Sequence, residues 1–252
     1  MNNLLFIIPH PDDEIVGSCS IIRRHKRDGK KIFLFFITNG VLSKDHVWFW
    51  KKDQIEKMIK IRKKELKLSL KMLGLEDYFF QNIHTRTLKE KISETYNKIK
   101  KIIQLKKIDT IFCPAYEGGH QDHDVSNFIC SKLSNLCDIY EFPEYNYLKK
   151  KINCNTFITK KKNEKTLKLS EEEKLFKKKC LQIYQSEKKN LNYIKINSES
   201  YRPIQQYDYS KPPHPGVLFY RRYSFFRWHP RVDNEDPEII CNKIIQSKIF
   251  TK

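Results

Sequence analysis

The polar and apolar positions of this chain alternate between two periods. Leu4 to Ile8 is a continuous apolar run, as expected of a strand buried on both faces. Ile15, Cys19 and Ile22 then recur at helical spacing, and the pattern predicts a helix from near Asp13 to Asp28-Gly29, with Gly29 as its C-cap. Glu14 in the first turn suits the helix dipole. Ile32 to Thr38 is a second apolar run, closed by the turn signal Asn39-Gly40. Strand, helix and strand in so short a span make a βαβ unit.

The alternation continues. Val41 to Lys52 is a loop or short irregular helix carrying Trp48-Phe49-Trp50. Asp53 is placed to cap a long amphipathic helix through Ile55, Ile59, Arg62, Leu66, Leu70 and Leu73, stopped by Gly74. Tyr78 to Ile83 is a third strand, and Leu88, Ile92, Tyr96, Ile99 and Ile103 mark another helix. Asp109 to Cys113 is a fourth strand, ended by Pro114. A helix follows from about Asp124 to Leu136, then a fifth strand from Asp138 to Phe142. Such alternation implies an α/β fold: an open, mostly parallel sheet with helices on both faces. In the doubly wound order 3-2-1-4-5, strands one and four lie side by side, and ligands bind beyond their carboxyl ends.

Beyond Tyr147 the pattern loosens. A strand is expected at Thr156 to Thr159. Ser170 followed by three glutamates reads as an N-cap and acidic first turn of a helix reaching about Gln185. Residues 190 to 230 read as irregular structure and short strands. With no convincing linker or repeat, residues 1–252 are expected to form one domain, a core over 1–148 and an irregular elaboration over 149–252.

Composition narrows the class. The 252 residues are 39% hydrophobic and 31% charged, a globular balance with no run near the roughly 20 apolar residues of a membrane helix. The first residues lack the basic flank and cleavage site of a signal peptide, so a cytoplasmic location is the default expectation. Seven cysteines, odd in number and without a C-x-x-C, argue against a disulfide framework or zinc ribbon. The net charge of +19 is spread along the chain. It reads first as lysine-rich compositional bias and second as a sign of an anionic partner.

Two polar knots hold the chemistry. Pro9-His10-Pro11-Asp12-Asp13-Glu14 follows strand one, and Gly118-Gly119-His120-Gln121-Asp122-His123-Asp124 follows strand four. The expected topology puts both in one crevice. Pro11 holds His10 in an extended conformation. Asp12 and Asp13 are neighbours whose side chains diverge, so one can reach a metal beside His10 while the other faces a water. His123 can supply a third ligand. Two histidines, one carboxylate and an open position are the usual make-up of a catalytic zinc site, and ferrous iron suits the same donors. His120, oriented by Asp122, can then stabilise an oxyanion or protonate a leaving amine.

These residues resemble the PIG-L/LmbE-type de-N-acetylases, whose hallmarks P-H-P-D-D-E and H-x-D-H match Pro9 to Glu14 and His120 to His123. Thr38-Asn39-Gly40, Arg62-x-x-Glu65 and Tyr184-Gln185-Ser186 fit as well, so the resemblance spans roughly residues 3 to 190. It implies a Rossmann-like sheet and hydrolysis of an N-acetyl group from an amino sugar or its conjugate, with zinc as cofactor. It implies His10, Asp13 and His123 as metal ligands, Asp12 as general base and His120 acting on the tetrahedral intermediate. Arg62 is implied as a substrate contact, and Asn39 and Trp48 are expected beside it. Glu187 stands where the family often has Gln, and Gly118 where some members have Tyr. The expected partner is a small, N-acetylated and in some form anionic sugar. Peripheral membrane contact is left open, and nucleic acid is not expected. Two rival readings are another metal-dependent amide hydrolase on the same site and a basic nucleic-acid or membrane-surface binder. No helix-turn-helix, zinc finger or RNA-binding motif supports the second.

Overall fold

The computed structural model describes residues 2–229, 232–247 and 249. Strands β1 (Asn3–Ile8), β2 (Lys31–Leu42), β3 (Tyr78–Thr85), β4 (Thr110–Pro114) and β5 (Asp138–Phe142) run parallel in the order 3-2-1-4-5. The fold class and strand order expected from the sequence are observed. β1 and β4 are direct neighbours, with Leu4 opposite Thr110 and Phe6 opposite Phe112. Both polar knots therefore leave the sheet at the same edge.

Alternation along the strands builds two cores. Leu5, Ile7, Phe33 and Phe35 face one side, and there they meet α4 (Ile92–Lys106), α5 (Gln121–Ser131) and the late helix α8 (Pro237–Gln246). Leu4, Phe6, Ile8, Leu34 and Phe36 face the other, where α2 (Cys19–Arg27), α3 (Ile55–Leu73) and Tyr184 cover them. Burial on both faces is why these strands carry unbroken apolar runs rather than alternating ones.

The single helix expected from Asp13 to Gly29 is instead two. α1 (Asp13–Val16) is one turn, and α2 starts afresh at Cys19. Gly17 sits at the break, where a Cβ would stand 2.5 Å from the Phe142 ring and 2.8 Å from the Glu144 side chain. β2 does not stop at Asn39-Gly40 but runs on to Leu42, absorbing Gly40 (φ 69°) at a register shift against β3. α5 opens at Gln121 rather than Asp124, because His120 caps it through its ring nitrogen.

The C-terminal half adds to the sheet. β9 (Ser198–Pro203) pairs antiparallel with β5, and β8 (Lys165–Lys168) pairs with β9; neither strand shows in the apolar pattern. No strand forms at Thr156 to Thr159. A short ladder of β6 (Tyr145–Asn146) and β7 (Asn153–Cys154) lies just before it. Helix α6 (Glu171–Leu181) begins with the expected capping box of Ser170 and Glu173, and the single turn α7 (Lys188–Leu191) follows. Two buried ion pairs lock this half on: Glu141–Arg202 and Lys177–Glu199, each at 2.7 Å. Among the described residues no helix is long and apolar enough to cross a membrane.

Candidate metal centre

The two knots meet. His10 Nδ1, Asp13 Oδ2 and His123 Nε2 converge with separations of 3.0, 3.1 and 3.2 Å. All three side chains are buried. The donors of a tetrahedral site with bonds of about 2.0–2.1 Å stand roughly 3.3 Å apart, so the residues present fit one divalent cation. The electrostatics agree. Burial opposes charge on both Asp13 and His10, yet His123 and His10 hold the Asp13 carboxyl well below its usual range. Asp13 and Asp122 in turn push His10 up to about 10. A cation taking the place of the His10 proton would face the same Asp13 carboxylate.

Each imidazole has a carboxylate behind it. Asp122 Oδ2 lies 3.0 Å from His10 Nε2 and also accepts the Thr85 hydroxyl (3.0 Å) and the Arg86 amide (2.7 Å). Asp122 serves both rings in different ways: its carboxylate faces His10 and stands 3.6 Å from the His120 ring, which its backbone amide holds instead. His123 Nδ1 faces Glu144 Oε2 at 3.5 Å. A hydrogen-bonded outer carboxylate such as Asp122 fixes the ring orientation of a metal-binding histidine, whereas Glu144 lies near His123 without a formed hydrogen bond. Glu144 was not legible as a site residue, although it sits just beyond the carboxyl end of β5, where the topology places ligands. Burial, with Asp13 nearby, pushes its carboxyl well above the usual range.

His120 points elsewhere. Its Nδ1 accepts the Asp122 amide at 3.0 Å, capping α5, so in the neutral ring the proton sits on Nε2. Burial, helped by His10, holds its pKa well below the ordinary value. A neutral ring with Nε2–H toward the cleft is a hydrogen-bond donor.

Asp12 stands beside the cluster, not in it. Its backbone is at φ 123°, a strained conformation for a residue with a Cβ. Neighbours on both sides pin it. Glu14 Oε2 accepts the Asp12 amide (2.9 Å), and Arg62 donates to the Pro11 carbonyl and to Asp12 Oδ2 (3.2 Å). Glu14 does more than start a helix. It is fully buried and accepts from Ser69 and Tyr184 besides. Burial raises the Asp12 carboxyl well above its usual range, against the pull of Arg62.

Arg62 borders the cleft but is only 2% exposed; its two terminal nitrogens face Pro11, Asp12, Ser186 and Glu187, while its Nε has no hydrogen-bond partner. It is tied to Asp12 and belongs to the cleft lining. Glu65, one turn on, accepts the amide and hydroxyl of Ser186. The pattern Arg62-x-x-Glu65 and the Tyr184-to-Glu187 turn are thus two halves of one bracket. Asn39 is not among the residues that line the cleft. It is buried, and its Oδ1 accepts the Val41 amide to shape the bend in β2. Trp48 does line the cleft, stacked on Trp50 at 4.9 Å.

The cleft holds about 1040 Å³ and opens over His10, Asp12, Asp13 and His120. Tyr145, Tyr193, Phe219 and Tyr220 belong to the lining, as do Trp48 from the segment after β2 and Ile55 and Met58 from α3. The arginines of the C-terminal half do not form one surface. Arg202 is buried against Glu141 and Tyr207, whereas Arg222 lines the cleft above the Phe219 ring at 3.5 Å.

A parallel sheet with two imidazoles and a carboxylate converging at its switch point defines a class: α/β proteins with a candidate mononuclear metal site. Residues 5–134, more than half the chain, match the family described as PIG-L: GlcNAc-PI de-N-acetylase, and the chain belongs to it. Solved structures are similar in fold. The zinc-inhibited form of teicoplanin deacetylase Orf2 is 13% identical, with TM-score 0.61 over 82% of this chain and 99% of that one. N,N'-diacetylchitobiose deacetylase from Pyrococcus horikoshii is 16% identical, with TM-score 0.58 over 84% of each chain. GalB, a 4-carboxy-2-hydroxymuconate hydratase from Pseudomonas putida, is 12% identical, with TM-score 0.55 over 82% and 98%. At these identities the likeness shows the fold alone, and the hydratase shows that this fold carries more than one chemistry. No curated protein matches in sequence.

Proposed function

We propose that this protein is a metal-dependent hydrolase that removes the N-acetyl group from an N-acetylated amino sugar or its conjugate, releasing acetate and a free amine. The observation that carries the reading is the division of the first knot. Asp13 joins His10 and His123, while Asp12 is held 3.2 Å from Arg62 and opens on the same cleft. His10 Nδ1, Asp13 Oδ2 and His123 Nε2 would hold the ion, zinc or ferrous iron. The chemistry such an ion supplies is Lewis acidity: it lowers the pKa of water toward about 7 and polarises an amide carbonyl.

The chain's own residues do the rest. Asp12 takes the proton of the attacking water as general base. His120 presents Nε2–H to the developing oxyanion or passes a proton toward the departing amine. Asp122 and Glu144 keep His10 and His123 turned inward. Trp48, Tyr145 and Tyr193 offer ring faces to a sugar. Arg222, Lys188 and Lys189 line the cleft and suit a substrate with a negative group.

Acetate release from a panel of N-acetylhexosamine conjugates tests this in the native and Asp12→Asn proteins. The expected result is activity on at least one sugar that falls by about 10²–10⁴-fold in the variant. Undiminished activity in the variant refutes the role of Asp12, and no acetate from any N-acetyl sugar refutes the substrate class.

A further inference from the structure

The exposed aromatic residues are not scattered. Among the described residues, every large aromatic side chain that is exposed lies in two segments: Phe49 and Trp50 in one, Tyr223, Phe225, Phe226 and Trp228 in the other. The remaining exposed large apolar residues are all aliphatic and spread over the surface. The two segments sit together at the cleft mouth. Trp48, Tyr223, Phe226 and Trp228 line the same cleft, and the Trp48 ring meets the edge of His229 at 6.3 Å. Phe225 is 90% exposed, Phe49 74% and Trp228 70%. Leaving such rings in water forgoes the gain of burying them, so a clustered set marks a surface that something covers.

Charge identifies the cover. Residues 217–229 contain Arg221, Arg222 and Arg227 and no acid, and Lys51 and Lys52 follow directly on Trp50. Lys188 and Lys189 line the adjoining cleft wall. Protruding Trp and Phe ringed by Arg and Lys is the composition of a surface that enters the headgroup layer of an anionic bilayer. A second copy of the chain fits badly, since it would bring the same cations face to face on a protein of net charge +19.

We propose that this aromatic and basic rim seats the protein on an anionic membrane surface, with the cleft mouth toward the lipid. The proposal is independent of the reaction catalysed, because no residue of the metal cluster enters it.

The chain supplies its own probe. Its three tryptophans, Trp48, Trp50 and Trp228, all belong to the cleft mouth. The experiment adds vesicles of phosphatidylcholine and phosphatidylglycerol in equal parts to the whole protein and follows tryptophan fluorescence, with brominated lipid as quencher. Expected are a blue shift, quenching by the brominated chains, at least 10-fold weaker partition into pure phosphatidylcholine, and loss of binding as salt rises. The double variant Phe49→Ala, Phe225→Ala keeps every tryptophan and should partition at least 10-fold more weakly. An unshifted spectrum, equal partition into neutral vesicles, or a variant that binds like the parent overturns the proposal. So does a shift with single-stranded RNA but not with vesicles, or a dimer in which the tryptophans are already shielded.

Discussion

The Arg62 guanidinium lies 3.2 Å from the Asp12 carboxylate and also holds the Pro11 carbonyl behind it. A cation with 2% exposure, tied to both ends of a strained peptide, sets the position of Asp12. Arg62→Lys keeps the charge but loses the fork, and should lower kcat by about 10²-fold while leaving KM within a few-fold. Steady-state kinetics separate the alternatives. A variant with normal kcat and raised KM would show that Arg62 contacts the substrate.

Gly40 is bound to the same arginine by its missing side chain. At φ 69°, a Cβ there would stand 2.7 Å and 2.8 Å from two guanidinium nitrogens. Gly40→Ala therefore adds backbone strain to a clash at a residue that touches no reacting atom. It should cost about 1–3 kcal/mol of stability and lower kcat as Arg62 is displaced. Thermal unfolding and kinetics on one preparation check both.

Asp122 gives a clean discrimination. Its carboxylate accepts from His10 Nε2, so Asp122→Asn should weaken metal binding by about 10–100-fold in a competitive chelator titration. If the carboxylate served His120 alone, metal affinity would stay put and only turnover would fall. Glu144→Gln, behind His123, is expected to act in the same direction.

Glu117 makes stability depend on pH. Burial pushes its carboxyl up to about 8, against the Ile158 amide that donates to it at 2.8 Å. The folded state thus holds this proton more tightly than the unfolded chain does. The associated stability is complete below about pH 4.5 and is lost as pH rises toward 8. Replacing the group by the neutral Glu117→Gln should flatten that decline, with a ceiling of about 5 kcal/mol at pH 8. Denaturant midpoints of parent and variant at pH 5 and pH 8 measure it. An unchanged difference between the two pH values would contradict a buried neutral carboxyl.

The sheet was legible because β1, β2 and β4 are buried along most of their length, so apolar runs such as Leu4–Ile8 and Ile32–Ile37 stand out. β8 and β9 were hidden for the opposite reason. β8 is mostly exposed lysine and threonine, and β9 buries Glu199 and Arg202 through ion pairs rather than apolar contacts. The cluster of His10, Asp13 and His123 was readable from two dense motifs at adjoining strand ends. The bracing was not, because Glu144, Thr85 and Ser186 are single residues that acquire meaning only from their distance to Asp12, His10 and His123. The burial of Arg62 and Asn39 was not legible either, because polar residues near a motif read as exposed.

Metal content set against acetate release tests the central claim most directly. After loading and dialysis, the native protein should retain one zinc or iron per chain. His123→Ala and Asp13→Ala should lose both the ion and acetate release. Asp12→Asn should keep the ion and lose the activity. Retention of a full equivalent of metal in His123→Ala, or loss of the metal in Asp12→Asn, would contradict the division of labour between Asp13 and Asp12.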